Sequence, residues 1–196
     1  MSNKLGFIGC GKMAKAIIKG ICDIFPKENI IASTSSKDSA QKAKEELNIN
    51  VVCNNRQTAA FADIIFIATK PNQVETVLKE IKETLTAKQL IVSVAAGVST
   101  EKIENILGQI PVIRVMPNTP SLVKKGMSAT AKGSFATDEQ EKSVHEILSK
   151  IGKVISVEES QIDVVTAISG SGPAFFYQIF EDMAQAGVNL GDRKSV

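Results

Sequence analysis

The chain has 196 residues, 43% of them hydrophobic, with 23 basic and 21 acidic side chains and a formal net charge of +2 at pH 7. That length and content support one packed domain, or one domain with a small appendage. The near balance of charge gives no reason to expect nucleic acid as a partner, and no apolar run nears the roughly 18–20 residues that cross a bilayer.

Short apolar runs alternate with helical patterns along the chain. Leu5-Gly6-Phe7-Ile8 reads as a first strand, followed by a helix whose apolar face is Ala14, Ile17, Ile18 and Ile21. Ile30–Ser33 reads as a second strand, Asp38 to Leu47 as a charged helix, and Val51-Val52 as a brief third strand. Ile64 to Ala68 is apolar on both faces, as a strand covered on two sides must be. Helical spacing returns at Val74, Val77, Leu78 and Ile81, and again at Ile103, Ile106, Leu107 and Ile110, with the strand Leu90–Val94 between. Val112–Met116 is the next strand, ended by Pro117 and Pro120, which lack the amide proton a ladder needs. Met127 to Ala131 reads as a strand. Thr137 and Gln140 form a capping box for a helix with Val144, Ile147, Leu148 and Ile151 on its apolar face. Val154–Val157 is the last strand. A final helix starts near Gly172-Pro173, carries Phe176, Ile179, Phe180 and Met183 on one side, and ends between Gly187 and Gly191 before a polar tail.

This rhythm predicts an α/β protein with a Rossmann-type, doubly wound, mostly parallel sheet. Residues 1–160 are read as the dinucleotide-binding domain and 161–196 as the start of a C-terminal helical region, the rhythm changing between Glu158 and Asp163.

The loop Gly9-Cys10-Gly11-Lys12-Met13-Ala14 stands where the first strand turns into the first helix. Glycines there permit a tight turn and the close approach of a pyrophosphate, and the helix N-terminus offers it unpaired amides. An NAD-type site places an acid about 20 residues further on, for the ribose diol. Here Ser33-Thr34-Ser35-Ser36-Lys37 occupies that place, and hydroxyls with a lysine suit a 2′-phosphate, so NADPH is expected over NADH. Ser36 also suits the cap of the following helix.

Other chemistry is missing. There is no GxSxG elbow, Walker loop or HExxH motif. The three cysteines, Cys10, Cys22 and Cys53, include no CxxC pair, which fits a reducing cytoplasm better than a disulfide framework or zinc site. The single histidine, His145, excludes a multi-histidine metal site within one chain and is expected to be solvated on its helix. Cys10 is read as a small filler against the cofactor, and Lys124-Lys125 as a solvated turn. No metal and no catalytic acid–base residue is expected.

Four further segments, Ala68-Thr69-Lys70-Pro71, Val94-Ala95-Ala96-Gly97, Arg114-Val115-Met116-Pro117-Asn118-Thr119-Pro120 and Ser169-Gly170-Ser171-Gly172-Pro173-Ala174, together with the glycine loop, resemble the pyrroline-5-carboxylate reductase family. The resemblance runs in order from Leu5 to about Gly191. It implies hydride transfer from NAD(P)H to the C=N bond of 1-pyrroline-5-carboxylate, giving L-proline in proline biosynthesis. A protonated cyclic imine is already electrophilic, so positioning against the nicotinamide does most of the work. By the same resemblance, Ile8, Gly9, Cys10, Gly11, Lys12 and Met13 hold the pyrophosphate. Ser33, Thr34, Ser35 and Lys37 with Asn55 hold the adenosine phosphate end. Ala68, Thr69, Lys70, Pro71, Ala95, Ala96 and Gly97 line the path to the nicotinamide, and Met116, Asn118 and Thr119 close around it and the imine.

Family members continue beyond the point where this chain ends, into a helical region that forms an intertwined dimer and supplies part of the substrate site. The expectation is therefore a homo-oligomer for the full-length family, with assembly and activity of this shorter chain in doubt. Two other readings stand beside the reductase: a non-catalytic NADP-binding fragment, and another NADP-linked oxidoreductase of a small substrate, against which the SGSGPA segment argues.

Overall fold

A computed structural model describes residues 3–193. Eight strands form one sheet in the order β3-β2-β1-β4-β5-β6-β7-β8. They are β1 (Leu5–Ile8), β2 (Ile30–Ser33), β3 (Asn50–Val52), β4 (Ile64–Ile67), β5 (Leu90–Ser93), β6 (Val112–Met116), β7 (Gly126–Lys132) and β8 (Gly152–Ser156). The first six run parallel, β7 turns antiparallel to β6, and β8 runs parallel to β7. The helices are α1 (Lys12–Ile21), α2 (Lys37–Leu47), α3 (Asn55–Phe61), α4 (Pro71–Ile81), α5 (Thr100–Leu107), α6 (Asp138–Leu148), α7 (Ile162–Val165) and α8 (Gly172–Asn189). The expected doubly wound sheet is therefore present, with its order reversing between β1 and β4. Ligands of such sheets bind at that switch point.

Side chains alternate across each strand and fill one core on each face of the sheet. On one face Leu5, Phe7, Phe66 and Val92 pack with Ile17, Ile18 and Ile21 of α1 and Val144, Ile147 and Leu148 of α6. Phe7 and Phe66 stack there, with ring centroids 4.7 Å apart. On the other face Ile8, Ile65, Ile67 and Ile91 meet Val74, Val77, Leu78 and Ile81 of α4, together with Ile103 and Leu107 of α5. These are the helical faces expected from the spacing. Two boundaries differ. Ile110 and Ile151 lie beyond the ends of α5 and α6, yet both remain buried. Gly108 ends α5 at φ +81°, so Ile110 reaches the core from the turn that follows.

The capping box at Thr137 is formed. The Thr137 hydroxyl accepts from the Gln140 amide at 3.2 Å, and the Gln140 side chain accepts from the Thr137 amide at 2.9 Å. Thr137→Ala is expected to cost about 1 kcal/mol, read as a melting temperature about 2–4 °C lower; an unchanged melt would show that tertiary packing alone holds this end of α6.

His145 corrects an expectation. Its side chain is half-buried, and Nε2 lies 2.8 Å from the Thr130 hydroxyl on β7 and 3.4 Å from the Ser156 hydroxyl on β8. α6 lies across these two strands, so the helix edge read as solvated faces a polar seam. α3 was not anticipated at all; Asn54 caps it by accepting from the Gln57 amide. Beyond β8, Ile162 of α7 packs on Ala129 and Ala131 of β7. A π-helical turn (Thr166–Gly170) then leads into α8. The apolar side chains expected on one side of α8, Phe176, Ile179, Phe180 and Met183, are exposed, together with Phe175 and Tyr177. The last part of the expected polar tail, 194–196, lies outside the described residues.

Candidate dinucleotide site and its neighbours

At the switch point a groove of about 650 Å³ opens between the ends of β1, β2 and β4 and one side of α4. It is lined by Gly9, Cys10, Ser33, Thr34, Ser35, Asn55, Ala68, Thr69 and Lys70, all among the expected cofactor residues. Of the remaining expected residues, Ile8 is fully buried as the last residue of β1. Gly11 and Lys12 are exposed at the start of α1, and Met13 packs partly on the core beneath. Lys37 opens α2 and is exposed, as is Pro71 at the first turn of α4. Ala95 is buried, and Ala96 and Gly97 are exposed in the loop after β5. None of these lines the groove wall.

The residues present fit a dinucleotide. Gly9 has φ +90°, and a Cβ built on it would lie 2.7 Å from the Ala68 carbonyl oxygen, so the β1 and β4 loops meet at a distance only glycine allows. Gly11 caps α1 without a side-chain hydrogen bond, and the space beside its Cα is open. The N-terminus of α1 is therefore open beside the groove residues Gly9 and Cys10, and its unpaired amides suit a pyrophosphate. The Thr69 hydroxyl is buried in the groove wall without a hydrogen-bond partner among the described residues, an orphaned polar group that a bound ligand would satisfy. Ser36 caps α2 by accepting from the Ser39 amide at 3.2 Å, which leaves Ser35 and the α2 N-terminus at the groove edge. Burial pushes the Cys10 thiol up from its ordinary value, with Lys15 opposing. That suits the small filler expected of Cys10 and disfavours a thiolate nucleophile.

Several lining residues escaped the sequence: Ser39, Cys53, Asn72, Gln73, Thr76, Val77 and Glu80. Gln73, Thr76 and Glu80 form a polar stripe beside the apolar face of α4. The spacing was legible, but polar residues on an amphipathic helix read as solvated.

The expected substrate residues lie at the end of β6. Asn118 is a brace: its Oδ1 accepts from the Met127 amide at 2.9 Å, and its Nδ2 donates to the Ser169 carbonyl at 3.1 Å. A Cβ built on Gly170 would lie 2.7 Å from the Met116 Cε. The Met-Pro-Asn-Thr-Pro and Ser-Gly-Ser-Gly-Pro segments are therefore brought into contact, with the π-helical turn set against the end of β6. Thr119 stands exposed beside them. π-helical turns occur frequently at functional sites. An ion pair made by a buried arginine holds the same joint. Arg114 on β6 donates to Glu159 at 2.7 Å and reaches Asp163 at 3.4 Å. Glu159 also accepts from the Thr100 hydroxyl at 2.7 Å.

A sheet of this order, with a glycine-lined groove at its switch point, defines a dinucleotide-binding fold. A family model described as NADP oxidoreductase coenzyme F420-dependent matches residues 4–97, and one described as pyrroline-5-carboxylate reductase dimerisation matches residues 159–195. A pyrroline-5-carboxylate reductase from Corynebacterium melassecola is 40% identical over 192 residues, covering 95% of this chain and 71% of its own length. The structure of a pyrroline-5-carboxylate reductase from Coxiella burnetii superposes with a TM-score of 0.90 at 35% identity, over 99% of this chain and 73% of that one. A Plasmodium falciparum pyrroline carboxylate reductase with NADP bound gives 0.89 at 33% identity, over 98% and 71% of the two chains. The chain belongs to the pyrroline-5-carboxylate reductase family and is an oxidoreductase of that family. The doubt over assembly finds no support, because the dimerisation match falls on this chain's own residues.

Proposed function

We propose that this chain transfers hydride from NADPH to the C=N bond of 1-pyrroline-5-carboxylate, forming L-proline. The observation that carries the reading is the placement of two sites along one edge of the sheet. The Gly9 groove lies at the β1/β4 switch point, and the Met116–Thr119 turn, braced on Ser169 and Gly170, lies at the end of β6 along the same edge of the sheet. The reduced nicotinamide supplies the hydride when bound. The chain's own part is to hold and orient. Gly9 to Met13 receive the pyrophosphate at the α1 N-terminus; Ser33, Thr34, Ser35, Lys37 and Asn55 take the adenosine end; Ala68 to Pro71 and Ala95 to Gly97 guide the chain of the cofactor. Met116 and Thr119 then close on the imine, with Asn118 holding their turn in place. The test is NADPH oxidation, followed as loss of reduced-nicotinamide absorbance, on addition of 1-pyrroline-5-carboxylate. Proline formed in equal amount supports the reading, and bound NADPH without turnover would favour the non-catalytic cofactor module.

Preference for NADPH over NADH is part of the proposal, supported by the hydroxyl-rich, acid-free end of β2 and the exposed Lys37 ammonium at the α2 N-terminus. Ser35→Asp with Lys37→Glu is expected to weaken NADPH binding at least tenfold more than NADH, since each places a carboxylate where the 2′-phosphate would lie. Equal losses for both nucleotides would contradict it.

The domain division is read in the same way, with 1–160 as the dinucleotide-binding domain and 161–196 as the start of a helical dimerisation region. The exposed aromatic face of α8 supports assembly as a homo-oligomer. A cytoplasmic location is supported by three free cysteines and by the absence, among the described residues, of a helix long and apolar enough to cross a membrane.

A further inference from the structure

Among the described residues that line the groove, Glu80 is the only acidic side chain and Lys70 the only basic one. They stand ten residues apart on α4 and its cap, about 15 Å along the helix. A carboxylate in a groove built for phosphates repels them unless it faces a neutral part of the ligand. Glu80 is also held in a fixed polarity. The buried Ser33 hydroxyl donates to Asn55 Oδ1 at 2.7 Å, and Asn55 Nδ2 donates to Glu80 Oε2 at 2.8 Å. The Glu80 main-chain carbonyl accepts from Arg56 Nε at 2.9 Å, which pins that turn of α4 to α3. Glu80 Oε1 has no hydrogen-bond partner among the described residues. A carboxylate oxygen accepts only, so the far end of the groove presents an acceptor beside the apolar edges of Val77 and Cys53.

From this we propose that Glu80 is a specificity-determining residue for the base of the dinucleotide, accepting a hydrogen bond from the exocyclic amine of adenine. The proposal rests on the reading of this groove as the NADP(H) site. Ser33 and Asn55, besides lining the adenosine end, steady the carboxylate through the Ser33–Asn55 and Asn55–Glu80 hydrogen bonds, so that its other oxygen faces the base. A base carrying a carbonyl in place of the amine sets oxygen against oxygen and is rejected.

The test is direct binding, by nicotinamide fluorescence, of NADPH and of its hypoxanthine analogue to the intact chain. The chain as it stands is expected to bind the analogue about tenfold more weakly, the worth of one hydrogen bond to a charged group. In Glu80→Gln the side-chain carbonyl can still accept from Asn55, while the new amide donates toward the analogue's carbonyl. The preference is then expected to fall to parity or reverse, with an unchanged melting temperature showing that α4 is intact. Parallel weakening of both nucleotides in Glu80→Gln, with their ratio unchanged, would overturn the base assignment while leaving the groove as the cofactor site. Saturable binding of neither nucleotide by the unaltered chain would overturn both.

Discussion

Gly9→Ala is expected to lower NADPH affinity about 100-fold and to destabilise the fold as well. The positive φ of Gly9 is a conformation that costs an L-residue roughly 1–2 kcal/mol. The added Cβ would also meet the Ala68 carbonyl oxygen at 2.7 Å and its carbon at 2.9 Å. These are backbone atoms of the neighbouring loop and cannot swing aside as a flexible side chain would. Relief requires the β1 and β4 loops to separate, carrying the α1 amides away from the pyrophosphate. Losing two hydrogen bonds to a charged group, at about 1.5 kcal/mol each, gives the 100-fold figure. Gly11→Ala is the control. A Cβ there meets nothing within 4 Å, so the melting temperature should hold while affinity falls through obstruction of the approaching phosphate. The two variants separate by thermal melts and NADPH titration; equal melts would contradict the geometric account of Gly9.

The second large effect is at Arg114. Arg114→Ala is expected to cost about 3 kcal/mol, the range for breaking a buried pair by removing one partner, and to lower the melting temperature by about 6–12 °C. The guanidinium is almost wholly buried, with a side-chain exposure of 6%, whereas Glu159 is 30% exposed and Asp163 is 88% exposed. Glu159 therefore carries the interaction and Asp163 adds little. Without arginine the Glu159 carboxylate keeps only Thr100. The double variant Arg114→Met with Glu159→Gln removes both charges and should recover more than half of the loss; a double variant as unstable as Arg114→Ala would show that packing, not pairing, sets the cost. The pair joins β6 to the segment entering α7, so its loss should also raise KM for the imine by loosening the Met116 turn.

These two sites differ in how much of them the sequence displayed. The Gly9 loop was visible because everything it needs is local: a four-residue strand, two glycines, and a helix whose apolar face repeats at the helical period. The same holds for the core faces of α1, α4 and α6. α3 went unseen because Asn55–Phe61 spans two turns and buries only Thr58 and Ala59, too little for a period to emerge. Asn54 was the one local signal, as a cap. The contact between the Asn-Thr-Pro turn and the Ser-Gly-Ser-Gly segment joins residues 51 apart, and no local pattern encodes it; the two motifs were legible separately and only as a resemblance. Glu80 and His145 share a further cause. Each sits on an amphipathic helix beside the core stripe, where polarity alone looks like solvent, and each is claimed by a neighbouring element: Glu80 by Asn55 at the start of α3, His145 by Thr130 on β7.

The N-terminal end of α2 shows the opposite limit. The sequence marks Lys37 by its charge next to a serine run, and it stands exposed, outside the groove wall. A long side chain can reach a phosphate from there, which is why the paired substitution at positions 35 and 37 tests the groove edge and not its floor.

The most direct measurement is a crystal structure of the chain grown with NADPH. The pyrophosphate is expected on the amides following Gly9 at the start of α1, and the 2′-phosphate at Thr34, Ser35 and Lys37. The base is expected against α4 with its amine toward Glu80, and the nicotinamide directed toward Met116 and Thr119. A dinucleotide bound away from the Gly9 groove, or lying in it with the nicotinamide at the α4 end, would contradict this placement.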